Sequence, residues 1–422
     1  YMSGEYVGAF WKAGQTGERI IRIPVGTNTV RSGKWDASVY WLGPGWNAGD
    51  IVFSNDISDD TGITYHSSTE TPANMLTYDA TYAVSGYVSS ASGTAVSGAG
   101  NYIYFRIGLT STYAATGNNP ARYALVLLRY GTPQKYHIIY IRQGEKPDYL
   151  MYPSDDSRGS AAVQFCAYNV TASDLTNNDE LVEILPNRSN AVFTDYPTQA
   201  GALFQWSEVL TYGPLAYNPV NPITPVIWYD IPTGSFWSTL KATSESCPPG
   251  YRRPNDGSTI TVALNASSTA IKNSEIRQSL YATPTVGDNF NDANLRWGFY
   301  ADGYFDRRDH NNSFIASPGE GGSAIASNTA VSWTTKDVAY VGSLLFNPVS
   351  GSLRENASLF IPAAGNRHSE QGALVEGGEA GFLLSSSGPN GTDMWYLVGS
   401  SFGTGQLSST RKHGMSLRCV PE

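Results

Sequence analysis

Apolar and aromatic residues in the first third of the chain come in short runs separated by Gly, Pro and Asn, with no sustained helical period. Arg19-Ile20-Ile21-Arg22-Ile23-Pro24-Val25 ends at Gly26, and Val39, Trp41 and then Ile51-Val52-Phe53 lie between turn-rich stretches. Tyr102 to Leu109 is rich in aromatic and β-branched residues. Tyr123–Arg129 and Tyr136–Gln143 flank Gly131-Thr132-Pro133-Gln134, which predicts a hairpin. Several short strands at fairly even spacing predict an antiparallel β-sandwich over residues 1–148.

The pattern breaks at Lys146-Pro147-Asp148 and Tyr152-Pro153-Ser154-Asp155-Asp156-Ser157. Prolines remove ladder donors and adjacent acids resist burial, so 149–158 reads as a linker. Residues 159–422 carry few long periodic segments. Asn178–Leu185, ended by Pro186, predicts one or two helical turns, as does Ser274–Tyr281 with Ile276 and Leu280 on one face. The rest reads as short strands and long loops. The predicted class is mostly β with a minor α+β part.

Composition narrows the function classes. Charged residues make up only 15% of the 422 and the net charge is −9 without basic runs, which argues against nucleic acid as a partner. No apolar stretch reaches the ~20 residues needed to span a bilayer as a helix. Three cysteines, none close to another in sequence, exclude a disulfide-dense scaffold and a Cys-based zinc cluster. A chain rich in Thr, Ser, Tyr and Gly and poor in Lys reads as an exported β-rich protein.

Five motifs then occur in order: Gly201…Gln205-Trp206; Cys247-Pro248-Pro249-Gly250-Tyr251-Arg252-Arg253-Pro254; Ile361-Pro362-Ala363-Ala364-Gly365-Asn366-Arg367; Gly381…Ser385-Ser386-Ser387; and Leu417-Arg418-Cys419-Val420. This pattern, over roughly 155–422, resembles the Fibrobacter-type major paralogous domain abundant in Bacteroidetes surface proteins. The resemblance implies a C-type-lectin-like fold similar to the formylglycine-generating-enzyme scaffold for 159–422. Two departures are Arg253, where an apolar residue is usual, and Phe382-Leu383-Leu384, where aromatics are. Ile138-Ile139-Tyr140-Ile141-Arg142-Gln143-Gly144 similarly resembles the last strand of Bacteroidetes Ig-like surface domains. Together the two halves look like a fimbrial tip adhesin. That implies fimbrial partners joined by β-strand addition to the N-terminal domain, and an extracellular, cell-surface location. The chain stops three residues after Cys419, so no C-terminal strand is expected to be lent onward, which favours the tip over the shaft. Within this frame Cys247 and Cys419 are expected as a structural disulfide rather than a catalytic or copper-binding pair, with Cys166 a buried free thiol.

The richest polar and aromatic stretch is Trp297 to Asn312. Trp297, Tyr300 and Tyr304 could stack on sugar rings while Asp302, Asp306, Asp309 and Asn311 fix hydroxyls, so these are the candidate residues for binding a glycan or a surface protein. The same oxygens could ligate Ca²⁺, but their spacing departs from an EF-hand loop and Arg307 and Arg308 repel a cation. No cofactor or metal is expected. The histidines at 66, 137, 310, 368 and 413 are scattered. His368, beside Arg367 and Glu370, reads as a surface histidine. With no nucleophile–base or metal constellation legible, the expectation is a non-enzymatic adhesin. The alternatives are a structural capping subunit and an enzyme on the formylglycine-generating scaffold.

Overall fold

A computed structural model describes residues 9–24, 29, 32–54, 90–95, 102–117, 119–132, 134–154, 161–175, 181–184, 186–206, 210–212, 245–257, 268–281, 284, 297–306, 341–347, 356–370, 372–388, 393–400 and 403–422. The protein is mostly β. Its chain divides into two compact units, the first built from Tyr1–Lys146 and Gly298–Ser358, the second from Pro147–Trp297 and Leu359–Glu422.

In the first unit the strands run β1 (Phe10–Trp11), β2 (Gly17–Pro24), β3 (Gly33–Leu42), β4 (Ile51–Ser54), β5 (Ser90–Ala95), β6 (Tyr102–Leu109), β7 (Arg122–Tyr130) and β8 (Lys135–Gln143). The expected hairpin is β7–β8, in continuous antiparallel register from Arg122↔Gln143 to Tyr130↔Lys135. One sheet carries β8, β7, β3 and β5 in that order, and a second carries β2, β6 and β4. The sheets meet through aromatic side chains: Trp35 of β3 lies 5.5 Å from Phe105 of β6, which in turn contacts Phe53 of β4. Ile103, Phe105, Ile107 and Leu109 are fully buried along β6, so the residues that made this run legible as a strand also fill the core.

Trp35 needs its cross-strand partner to be glycine. It pairs with Gly93 of β5, where an added Cβ would meet the indole at 2.8 Å. At the far end of β3 the register shifts between Val39 and Trp41, a bulge that leaves Tyr40 as the extra residue and exposes its ring. Buried Arg122 ties the loop that follows to the sheet. Its guanidinium bonds the Gly45 carbonyl, Asp50 and Ser111, and lies 3.8 Å over the Trp46 ring.

The first unit does not stop at the linker. Trp297–Asp302 and Phe305–Asp306 form a tight hairpin that adds to β8, with Phe305 opposite Ile139 and the Tyr140 amide donating to the Tyr304 carbonyl at 2.8 Å. Val341–Phe346 continues the same sheet. Residues 298–358, expected to lie within one C-terminal domain spanning 159–422, thus group with the N-terminal strands. The physical reason is that β8 offers an apolar edge that the aromatic hairpin completes: Phe305 meets His137, Tyr304 stacks on Phe10 and Phe346 meets Tyr140.

The second unit is built from short strands. Its largest sheet runs Leu181–Glu183, Leu210–Tyr212, Leu203–Gln205, Gly414–Met415, Asn366–Arg367, Leu374–Val375. A separate antiparallel meander comprises Ala380–Leu384, Asp393–Ser400 and Gly403–Thr410. The helix expected over Asn178–Leu185 is replaced, where the chain is described, by the strand Leu181–Glu183, because Leu210–Tyr212 supplies it with a ladder. The other expected helix forms. In α2 (Glu275–Leu280) the Ser274 hydroxyl accepts from the Arg277 amide, and Ile276 and Leu280 are buried. It follows a further short helix, α1 (Ser268–Asn273).

Candidate functional site

Four of the five sequence motifs of the second unit meet in one interior, and the third joins them through the pairing of Arg367 with Gly414. Leu203–Gln205 of the first pairs with Gly414–Met415, and Trp206 beside it is 1% exposed. Tyr251–Arg252 of the second pairs with Val420–Pro421 of the fifth, and Cys247 is disulfide-bonded to Cys419 across 172 residues. The fourth motif locks onto the residue just before the fifth, through Leu384 N–H to the Ser416 carbonyl and Ser416 N–H to the Phe382 carbonyl. Trp206, Phe204, Phe382, Leu384, Leu417 and both disulfide cysteines belong to a single buried cluster, and Cys166 is a buried free thiol in the same cluster.

Arginines rather than hydrophobes finish this core. Arg418, 1% exposed, donates to Asn169 Oδ1 at 2.9 Å and to the carbonyls of Ala167 and Phe360 at 2.6 and 2.8 Å. Arg253, the departure from the motif, is equally buried. It donates to the Trp206 carbonyl at 2.7 Å and to Ser246 Oγ, while Glu245 accepts its backbone amide and those of Ser246 and Cys247. Burial lowers the Arg253 pKa to about 10, against the opposing charge of Glu245, so it stays cationic at neutral pH. These groups cross-brace loops that the strands alone leave loose.

Gly365 shows why the third motif holds a glycine. Its φ is +71°, and a Cβ there would meet the Val375 carbonyl oxygen at 2.4 Å and the Gly377 nitrogen at 2.6 Å. Gly365→Ala should therefore lower stability by about 2–4 kcal/mol, measured as a shift in denaturant midpoint.

The stretch expected to contact ligand is placed differently. Tyr304 is 1% exposed and stacks on Phe10, so it cannot offer a face to a sugar. Trp297, Tyr300 and Asp302 lie on the strand Trp297–Asp302, and Asp306 lies on the strand Phe305–Asp306. Asp309 and Asn311 lie outside the described residues. Aromatic residues that suggested a recognition loop instead form a hairpin, since alternating aromatics also suit a half-buried ladder.

A polar cluster that the sequence did not single out lies at the edge of the second unit. Asn366–Arg367 pairs with Leu374–Val375 and, through Arg367↔Gly414, with the strand that follows His413. This register sets His368 opposite His413, with ring centroids 5.3 Å apart and planes at 83°. Asn366 bridges His413 Nδ1 (3.2 Å) to Glu376 Oε2 (3.1 Å). Burial, with the Glu379 charge, raises the Glu376 pKa; burial, with the Glu376 charge, pushes the Tyr396 hydroxyl up to about 12. Nothing in the spacing of 368 and 413 marks them as neighbours. Among the described residues no group of three or more His, Cys, Asp or Glu side chains is placed to hold a metal ion.

Burial and then the neighbouring His368 push His413 down to about 4, opposed by a hydrogen bond with the Arg367 backbone. A histidine depressed in the folded state binds fewer protons than in the unfolded chain. Its contribution is therefore complete above pH ~6.5 and lost as pH falls toward 4. Stability should drop by about 2 kcal/mol over that window, less than the full shift implies because the ring is partly solvated. Denaturant titrations at pH 7 and pH 4 check this, and His413→Gln should flatten that part of the profile.

Comparison with protein-family models, curated proteins and solved structures finds no match to this chain.

Proposed function

We propose that the protein is an extracellular, cell-surface adhesin, the tip subunit of a fimbria. In this reading the first unit is an Ig-like sandwich that docks to its partner subunit by β-strand addition, and the second is a lectin-like display domain. The observation that carries the reading is the convergence of four of the five motifs on one core closed by Cys247–Cys419 and cross-braced by Arg253 and Arg418, with the third joined to it by the pairing of Arg367 with Gly414. Motif residues spent on rigidity leave the intervening loops free to differ in chemistry, as a recognition scaffold requires. The disulfide suits an oxidising, exported setting. Among the described residues β5 ends its sheet, pairing with β3 through a short segment of Ser, Ala, Gly and Thr, an edge of the kind that strand addition uses.

A second reading is a capping subunit that binds no glycan, and the burial of Tyr304 favours it, because the most aromatic candidate stretch goes into the sheet. Binding of the purified protein to arrays of glycans and surface proteins separates the two. Saturable binding to a defined ligand supports the adhesin. Its absence, together with incorporation into fimbriae, supports the cap.

A further inference from the structure

We propose that His368 and His413 form a two-histidine clip for a divalent transition-metal ion at the edge of the second unit. The clip is independent of the adhesion reading and stands on backbone register. Arg367 and Gly414 are antiparallel partners, so the residue after the first and the residue before the second face each other across the strands. Directly opposed side chains on an antiparallel pair have Cβ atoms about 5 Å apart, close enough for two imidazoles to share one ion. Two rings bound to a tetrahedral ion through nitrogens about 2.0–2.1 Å long bring their centroids to roughly 5 Å. The observed separation is 5.3 Å, and the near-perpendicular planes, at 83°, keep the rings from stacking against each other. Both side chains are half-buried, so solvent reaches them.

The surroundings orient one ring and leave the other able to respond. Asn366 Nδ2 donates to Glu376 Oε2, which turns Asn366 Oδ1 toward His413. A carbonyl oxygen accepts only, so the Asn366 contact is a donation from His413 Nδ1, and the ring is held as well by a hydrogen bond with the Arg367 backbone. A carboxylate–amide–imidazole relay of this kind fixes the tautomer of metal-ligating histidines. His368 Nδ1 is reached by the Glu370 backbone N–H only at 3.4 Å, a contact long enough to yield to a metal. The hairpin carrying His368 is itself held in shape, with His368 N–H bonded to the Ala373 carbonyl, Gly372 N–H to the His368 carbonyl, and Arg367 to the Gly372 carbonyl. Imidazole pairs suit Cu²⁺, Ni²⁺ and Zn²⁺, and water or a group on a bound partner completes the coordination.

Untagged, chelator-treated protein titrated calorimetrically with Cu²⁺, Ni²⁺ and Zn²⁺ tests the clip. The expected result is one equivalent of Cu²⁺ per chain, with electron paramagnetic resonance showing two equatorial nitrogens. His368→Gln and His413→Gln should each weaken binding at least about tenfold, and Asn366→Ala, which only positions His413, by about tenfold. Circular dichroism establishes that each variant folds. Where one does not, the nitrogen count of the wild-type Cu²⁺ spectrum decides. Affinity unchanged in both histidine variants, or a spectrum with fewer than two nitrogens, overturns the proposal.

Discussion

Replacing Arg418 by methionine should destabilise the second unit by about 3–5 kcal/mol, a large share of a typical domain's stability. The methionine fills much of the space but cannot donate. Asn169 Oδ1 and the carbonyls of Ala167 and Phe360 would each lose a buried donor now within 2.9 Å. Each unsatisfied buried acceptor costs about 1–3 kcal/mol, partly recovered where the loop relaxes toward water. The contrast is Arg129→Ala, which removes the Asp36 ion pair on the outer face of β3 and β7. Both partners there are well exposed, so that change should cost under about 1 kcal/mol. Urea denaturation of the two variants side by side measures the difference.

The second large effect is loss of the disulfide. Cys247 and Cys419 close a loop of 172 residues, for which the chain-entropy model gives about 4–5 kcal/mol. Both cysteines are fully buried in the core cluster. Cys247→Ala with Cys419→Ala adds small packing losses to the entropic one, so its thermal midpoint should fall by at least as much as that of the reduced wild type. A midpoint that reduction leaves unmoved would mean that strand pairing of Tyr251–Arg252 with Val420–Pro421 suffices to close the unit.

What could be read from the sequence was local. The β7–β8 hairpin was legible because β-branched and aromatic arms flank a Gly/Pro turn, and α2 because Ser274 caps it and Ile276 and Leu280 share a face. Leu181–Glu183 was misread as helix because an Asn/Asp-rich start and Pro186 imitate helix punctuation. The ladder that overrules this comes from residues 210–212, beyond any local window. The regrouping of 298–358 was illegible for the same reason on a larger scale, since Phe305 finds Ile139 far beyond any local window of sequence. Tyr304 was placed in a recognition loop because an aromatic beside Asp and Gly reads alike in a loop and in a tight hairpin. His368 and His413 become neighbours only through the Arg367↔Gly414 register.

These differences leave the motifs as a framework and move any recognition to the surface between them. The adhesin reading therefore depends on where the protein is displayed. Immunogold labelling of fimbriated cells with antibodies to this chain tests it most directly. The account predicts label outside the cell, concentrated at fibre ends. Label confined to the cell interior would contradict it.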